Sequence, residues 1–214
     1  GGYVPAPRDF VAGVRDICSR HGILFVLDEV QTGFGRTGKL FAAEHHPGVV
    51  PDILIMAKGL ASGFPLSAIA SRRELTDKQP PGSMGGTYAG NAVACAAAAE
   101  TQRVIRDEGL VGNSDLMGVR LRGLLGNVAS KYGDEVVRDV RGLGCMVGVE
   151  LDARFSPGTA KAIAQECCDT GLLLLPCSVY ETIRFIPPLN VDEEEINLAV
   201  EVFAAALAKV TSGK

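Results

Sequence analysis

Residues Ile23–Leu27 read ILFVL, a continuous apolar run that is followed directly by Asp28. An amphipathic helix is predicted before this run, over Phe10–Arg20, where apolar residues recur at helical spacing. A second run of the same kind, Asp52–Ala57, follows a glycine-rich loop, and we predict a third strand over Pro65–Ala70. Continuous apolar runs of this length are typical of parallel strands that are buried on both faces. Their alternation with helices predicts an α/β fold.

A further set of helices and strands follows, and it suggests a second domain. We place the boundary near residues 108–114, which divides the chain into 1–110 and 111–214. The predicted helices are Asn91–Asp107, Asp115–Tyr132, Thr159–Thr170 and Glu193–Val210, and the predicted strands are Met146–Leu151, Leu172–Leu175 and Ile183–Ile186. Asp192 and Glu195 have the spacing of a capping box at the start of the last helix.

The composition excludes several classes of function. The chain has 214 residues, 47% of them hydrophobic, and a formal net charge of −4 at pH 7. This composition is not that of a disordered chain, and it offers no basic face to neutralise the phosphates of nucleic acid. The longest apolar stretches, such as Ala92–Ala99, are far too short to span a membrane. We therefore predict neither a nucleic-acid partner nor a membrane partner.

The six cysteines and three histidines carry no motif of their own. The cysteines lack the spacing of a disulfide framework or a zinc site, which predicts reduced thiols inside a cell. Three histidines argue against a histidine-rich metal site, and we predict no metal. The pair His45-His46 is interpreted as a solvated loop pair.

Residues Gly33–Leu40 read GFGRTGKL and fit the letters of two phosphate-binding motifs. The dinucleotide motif G-x-G-x-x-G needs a strand directly before it and a helix directly after it, but Asp28–Thr32 intervene here. The G-x-x-x-x-G-K motif needs a serine or threonine after the lysine to hold magnesium, and Leu40 has no hydroxyl. We interpret both matches as chance.

Two chemically active side chains stand at the ends of predicted strands, Asp28 after the first and Lys58 after the second. In open α/β sheets, ligands bind at the carboxyl ends of the strands. Taken singly, Asp28 has an ordinary reading as a loop carboxylate and Lys58 as a lysine that reaches solvent. We expect Lys58 to be partly desolvated there, which favours a nucleophilic amine. Together the two match pyridoxal phosphate, which needs a lysine for its Schiff base and an acid opposite its ring nitrogen.

Both residues belong to longer motifs, and the sequence resembles class III pyridoxal-phosphate-dependent aminotransferases of fold type I. The motifs run in the family's order through essentially the whole chain: Asp28–Gly38, Pro51–Ile53, Ala57–Gly59, Gly85–Asn91, Arg141–Gly144 and Ile183–Leu189. The resemblance implies the C-terminal part of the large cofactor domain over residues 1–110, followed by a small C-terminal α/β domain over 111–214. Within the family, Gly85–Asn91 is most similar to members that act on 4-aminobutyrate.

The resemblance also implies roles for individual residues around the cofactor. Lys58 would bind pyridoxal 5'-phosphate covalently and then shuttle a proton between the substrate carbon and the cofactor. Asp28 would pair with the pyridine nitrogen, Val30 would pack on the ring, and Gln31 would hydrogen-bond the phenolic oxygen.

Three more residues are assigned from the same resemblance. Thr87 would bind the cofactor phosphate of a neighbouring subunit, which implies a homodimer with shared active sites. Arg184 would bind the carboxylate of the 2-oxo acid through two parallel hydrogen bonds from its planar guanidinium, a role that lysine fills poorly. Arg141 is interpreted as a structural arginine in a glycine-rich turn.

The implied reaction is transfer of an amino group from an ω-amino acid to 2-oxoglutarate, with 4-aminobutyrate as the favoured donor. Ornithine or acetylornithine transamination is the alternative within the family, and a truncated, non-catalytic chain that binds a partner subunit is the alternative outside it. The family carries a long segment before the position of Gly1, including the phosphate-binding turn. We therefore expect the chain to be the C-terminal part of a longer enzyme, inactive alone, from the cytoplasm or the mitochondrial matrix.

Overall fold

The computed structural model describes residues 1–155 and 157–212, which form two compact α/β units. The first unit is Ala6–Val111, and the second contains Gly1–Pro5 together with the described residues from Gly112 onward. The predicted α/β class is confirmed. That Gly1–Pro5 lie with the second unit is a feature the sequence did not suggest.

The first unit contains a three-stranded mixed sheet. Its elements are α1 (Arg8–His21), β1 (Val26–Asp28), β2 (Ile53–Met56), β3 (Ala68–Ser71), α2 (Arg73–Thr76) and α3 (Ala92–Asp107). β1 runs parallel to β2, and β3 pairs antiparallel with the other edge of β2. Short 3₁₀ helices cover Ala42–His45 and Lys58–Leu60. The sheet therefore has β1 at one edge and β2 in its centre.

The first strand differs from its prediction in length and in burial. The N–H of Ile23 donates to the Cys18 carbonyl at 2.9 Å, so this residue closes the end of α1 and the strand begins only at Val26. The strand is also not buried on both faces, because Val26 is 42% exposed and Asp28 is exposed as well. The expectation of a fully buried parallel strand is therefore wrong for β1 in this chain.

A buried carboxylate, Asp52, joins the elements of the first unit at the start of β2. It accepts hydrogen bonds from the Phe25 N–H at 2.7 Å and from Arg15 at 2.8 Å, and Arg72 lies 2.8 Å from its other oxygen. The hydrogen bond from Phe25, followed by that from Arg15, lowers the pKa of Asp52 below its ordinary value. Asp52 thus connects α1, the chain entering β1 and the chain leaving β3.

The second unit packs three helices with a four-stranded antiparallel sheet. Its elements are α4 (Leu110–Tyr132), β4 (Val137–Leu143), β5 (Met146–Leu151), α5 (Thr159–Asp169), β6 (Leu175–Pro176), β7 (Thr182–Phe185) and α6 (Glu193–Thr211). The strand order is β4-β5-β7-β6. β4 was not predicted, and the strand expected over Leu172–Leu175 is reduced to β6.

The core of the second unit is well covered. Leu121, Ile163, Ile183 and Phe203 are each no more than 1% exposed, and the Phe203 ring meets the Phe185 ring edge to face with centroids 5.2 Å apart. The predicted capping box at the start of α6 is confirmed, because the side chains of Asp192 and Glu195 each accept the other's backbone N–H. Within the described ranges, no helix is long and apolar enough to cross a membrane.

Candidate active site

The sheet of the first unit places Asp28 and Lys58 at the carboxyl ends of neighbouring parallel strands. Asp28 is the last residue of β1 and lies in register with Ile55 of β2. The Glu29 N–H donates to the Ile55 carbonyl at 2.9 Å, and Lys58 follows the end of β2 by two residues. Adjacent strands lie about 4.8 Å apart. The acid and the lysine therefore stand at one edge of the sheet, in the arrangement that the sequence predicted.

The backbone at Lys58 is strained. Its φ of +46° is in the left-handed region, which a residue with a Cβ seldom adopts and which is often found at functional sites. Lys58 begins a 3₁₀ helix whose carbonyls at Gly59 and Leu60 accept hydrogen bonds from the Gln102 side chain at 3.4 and 3.0 Å. Gln102 belongs to α3, and it holds the backbone next to the lysine.

The side chains of Asp28 and Lys58 are both exposed. The expectation that Lys58 is partly desolvated is therefore wrong for this chain. One carboxylate oxygen of Asp28 accepts the N–H of Val30 at 2.9 Å, an Asx turn that fixes the orientation of the carboxylate. Within residues 1–155 and 157–212, neither side chain forms an ion pair. Both groups are therefore open to a ligand.

A buried carboxylate, Glu29, fixes the loop that follows Asp28. Glu29 is 2% exposed, and it accepts the N–H groups of Ala42 at 3.0 Å and Ala43 at 2.7 Å together with the Thr32 hydroxyl. Three donors satisfy this buried charge. Sequence reasoning missed both Glu29 and Gln102, because the backbone groups that they contact are distant along the chain.

The glycine-rich segment Gly33–Leu40 forms turns, with the Gly38 N–H donating to the Gly35 carbonyl at 3.0 Å. The helix that follows is only the four-residue 3₁₀ helix Ala42–His45, so the segment does not lead into the long helix that the dinucleotide motif requires. His45 is not a solvated loop residue, because its Nε2 lies 3.0 Å from the Thr37 carbonyl oxygen.

The other predicted cofactor residues of the first unit are Val30, Gln31 and Thr87. Val30 and Gln31 are half-buried in the turn directly after Asp28. Thr87 is exposed in the segment before α3, which Asn91 caps by accepting the Ala94 N–H at 3.0 Å. The roles of these three residues stay predictions.

Arg184 lies in the second unit, on β7. The residue is half-buried, and its guanidinium donates to the carbonyls of Leu175 and Pro176 at 3.4 Å each and lies 5.8 Å from the centroid of the Tyr3 ring. None of these contacts in the described chain is with a carboxylate. Arg141, on β4, forms ion pairs with Asp139 and Glu150.

The side chains at the sheet edge fit pyridoxal phosphate by their chemistry. Lys58 supplies a primary amine for a Schiff base, and Asp28 supplies a carboxylate at the neighbouring strand end. Pyridoxal phosphate requires both, the amine for its aldehyde carbon and the carboxylate for its ring nitrogen. Each is exposed and forms no ion pair within the described residues. The donor set therefore suits the cofactor that the motifs imply.

The comparisons with known proteins agree with this geometry. The family model described as aminotransferase class III matches residues 1–207, and the chain therefore belongs to the class III aminotransferase family, whose members depend on pyridoxal phosphate. The chain is 39% identical to the 5-aminovalerate aminotransferase of Pseudomonas putida, covering 98% of this chain and 50% of that protein. It is also 39% identical to the 4-aminobutyrate aminotransferase of Escherichia coli, covering 95% and 49%.

Two further relatives complete the comparison. The acetylornithine aminotransferase of Caldanaerobacter subterraneus is 40% identical, over 98% of this chain and 51% of that one. A solved transaminase from the marine bacterium Virgibacillus superposes with a TM-score of 0.91 at 33% identity, over 96% of this chain and 49% of that one. The chain thus spans about half the length of the curated relatives it matches.

Proposed function

We propose that this chain is the C-terminal half of a pyridoxal-phosphate-dependent enzyme that transfers the amino group of an ω-amino acid, 4-aminobutyrate, to 2-oxoglutarate. The observation that carries the proposal is the placement of Asp28 and Lys58 at the ends of two adjacent parallel strands. Membership of the class III family supports the reaction type.

The residues at the sheet edge divide the chemistry between them. Pyridoxal phosphate, when bound, supplies the electron sink that makes the substrate carbon acidic. Lys58 would hold the cofactor through its Nζ atom, and its freed amine would then take the proton from the substrate carbon and deliver it to the cofactor. The Asp28 carboxylate holds a proton on the ring nitrogen, which keeps the ring electron-poor. Val30 packs against the ring, and Gln31 hydrogen-bonds its phenolic oxygen.

The acceptor and the neighbouring subunit involve residues outside this edge. Arg184 binds a carboxylate of 2-oxoglutarate, because a planar guanidinium forms two parallel hydrogen bonds to a carboxylate. Its freedom from carboxylate partners in the described chain supports that role. Thr87 binds the cofactor phosphate of a second subunit, and its exposure before α3 supports a homodimer with shared sites.

The identity of the amino donor is the most specific part of the proposal. Relatives named for 4-aminobutyrate, 5-aminovalerate and acetylornithine match at 39%, 39% and 40% identity, so identity alone does not separate them. The preference for 4-aminobutyrate rests on the Gly85–Asn91 segment, and ornithine or acetylornithine remains the alternative. All six cysteines are free thiols, which supports an intracellular location.

The test is a donor comparison with the full-length protein that contains this chain. Purified holoenzyme is given 2-oxoglutarate and one of 4-aminobutyrate, 5-aminovalerate or N-acetylornithine, and glutamate is measured. We expect the highest kcat/KM with 4-aminobutyrate and no glutamate from a Lys58→Ala variant. A higher kcat/KM with N-acetylornithine would overturn the donor assignment, and no glutamate from any donor would overturn the function.

A further inference from the structure

Four residues form a row across the sheet of the second unit. The strand registers pair Arg141 with Gly148, Gly148 with Arg184, and Arg184 with Leu175. Residues directly opposite each other in an antiparallel pair face the same side of the sheet. The two arginines therefore lie on one face of the sheet, with a glycine between them.

The segment Gly1–Tyr3 lies along this row. The Gly1 carbonyl accepts a hydrogen bond from Arg141 at 2.8 Å. The Gly2 carbonyl oxygen occupies the space above Gly148, where an added Cβ would lie only 2.3 Å from it. A glycine inside a strand is typical of such a close backbone approach. Gly2 itself packs on Thr182, because a Cβ at Gly2 would lie 2.4 Å from the Thr182 methyl group.

Tyr3 comes next along the segment and meets the second arginine. The Arg184 guanidinium lies 5.8 Å from the centroid of the Tyr3 ring, within the range of a cation–π interaction. Tyr3 has a φ of +59°, a conformation that a bulky residue adopts only where its surroundings impose it. The contacts at Gly1 and Gly2 provide those surroundings.

We infer that Gly1–Tyr3 is a positioning segment for Arg184, in which the Tyr3 ring holds the guanidinium in one orientation for the carboxylate of the 2-oxo acid. The inference rests on the proposed role of Arg184 in binding that carboxylate. The carbonyls of Leu175 and Pro176 hold the arginine through long hydrogen bonds of 3.4 Å. The ring restricts its remaining freedom, and a ligand then binds more tightly because less side-chain motion is lost on binding.

The segment should affect only the substrate that Arg184 binds, which is 2-oxoglutarate, and not the amino donor. Glutarate is a suitable probe, since it has the two carboxylates of 2-oxoglutarate but no carbonyl that can react. In the full-length holoenzyme, Tyr3→Ala should weaken glutarate binding, measured by calorimetry, by about two- to fivefold, the range of an exposed cation–π contact. The KM for 2-oxoglutarate should rise by a similar factor, while the rate of the half-reaction with the amino donor stays unchanged.

Two variants separate the ring from the rest of the segment. Tyr3→Phe keeps an aromatic face and should restore most of the glutarate affinity. Val4→Ala is the matched control, because Val4 directly follows the segment, is exposed and carries no aromatic ring; it should bind glutarate like the wild type. Equal affinities for Tyr3→Ala and Val4→Ala would overturn the inference.

A third variant tests whether the contact between Gly148 and Gly2 positions the Tyr3 ring. Gly148→Ala places a methyl group where the Gly2 carbonyl lies, so it should displace the segment and weaken glutarate binding as Tyr3→Ala does. The double variant Gly148→Ala/Tyr3→Ala should bind glutarate no more weakly than Gly148→Ala alone. Additive losses in the double variant would show that Gly148 and Tyr3 act independently and would contradict the proposed segment.

Arg184→Lys distinguishes this inference from the function on which it rests. If Arg184→Lys leaves glutarate binding unchanged, the proposed role of Arg184 is wrong. If Arg184→Lys weakens binding while Tyr3→Ala matches the Val4→Ala control, the role of Arg184 stands and the positioning segment is wrong.

Discussion

At the scale of single residues, Arg184 offers a test of acceptor recognition. Arg184→Lys keeps the charge but removes the planar fork, so kcat/KM for 2-oxoglutarate should fall by about tenfold or more, equivalent to about 1.4 kcal/mol or above. The half-reaction with the amino donor, followed by single-turnover absorbance, should change less. Equal losses in both half-reactions would mean that Arg184 supports the architecture of the site instead.

Asp28 offers a matching test of the electronic role. Asp28→Asn keeps the shape of the side chain but removes its negative charge. The neutral amide cannot stabilise a protonated ring nitrogen as the carboxylate does. Proton abstraction in the first half-reaction should slow by about a hundredfold or more, the range typical of groups that hold or move a proton in the transition state. Asp16→Asn, at an exposed position on α1, is the control and should react at the wild-type rate. A wild-type rate for Asp28→Asn would contradict the assignment.

The sequence predicted some of the site residues but not the ones that support them. Asp28 and Lys58 could be predicted because each directly follows an apolar run in the sequence. Glu29 and Gln102 could not be found in this way. The backbone N–H groups that donate hydrogen bonds to Glu29 are 13 and 14 residues away along the chain. The Leu60 carbonyl that accepts a hydrogen bond from Gln102 is 42 residues away. These contacts exist only after α3 and the loop have packed around the sheet edge.

At the scale of elements, Asp52 predicts a pH dependence of the first unit. Its pKa in the folded chain is lowered, so its contribution to stability is present above the unfolded pKa of about 3.9 and is lost as the pH falls through the folded value. Asp52→Asn should therefore lower the urea midpoint of the full-length protein at pH 7, and the difference from wild type should shrink below about pH 4. A difference that stays constant from pH 7 to pH 3 would argue against the charged contacts as its source.

The packing of the second unit's core predicts a large loss of stability when one buried aromatic side chain, Phe203, is truncated. Phe203 is 1% exposed and stacks edge to face with Phe185, so Phe203→Ala should cost about 3–5 kcal/mol of unfolding free energy. Leu198→Ala is the matched control on the same helix, 61% exposed, and should change stability by no more than about 0.5 kcal/mol. Hydrogen exchange of the β5 and α6 amides in the full-length protein measures both. Similar values for the two variants would contradict the packing described here.

Strand limits were harder to predict than helix limits, and the reason lies in the helix ends. Leu172 donates its N–H to the Cys167 carbonyl at 2.8 Å, closing α5 as Ile23 closes α1. Apolar residues after a helix therefore complete its C-terminal cap before the strand begins. β4 escaped prediction because Arg138, Asp139 and Arg141 interrupt its apolar pattern.

At the scale of the whole molecule, the exposed apolar residues of the first unit predict the behaviour of this chain alone. Phe10, Ile17, Ile23 and Val26 are all exposed, and an uncovered strand edge invites aggregation. We expect the 214 residues expressed alone to form no glutamate from 4-aminobutyrate and 2-oxoglutarate. In limited proteolysis, peptides from the second unit should persist longer than those from the first. Glutamate formation, or equal lifetimes of the two units, would contradict this expectation.

The order of elements was enough to predict the fold class, since helices alternate with apolar strands along the chain. The association of Gly1–Pro5 with the second unit was not predictable. In the sequence these residues directly precede α1, and their place is set by contacts with distant residues, such as that of Gly2 with Gly148.

The most direct measurement locates the cofactor on the chain. The full-length holoenzyme is reduced with borohydride, digested and mapped by mass spectrometry, with Lys58→Ala as the control. The pyridoxyl group should be found on Lys58, at a stoichiometry near one per subunit, and Lys58→Ala should carry none. A pyridoxyl group on another lysine, such as Lys39 after the glycine-rich loop, would contradict the assignment of Lys58 and with it the proposed active site.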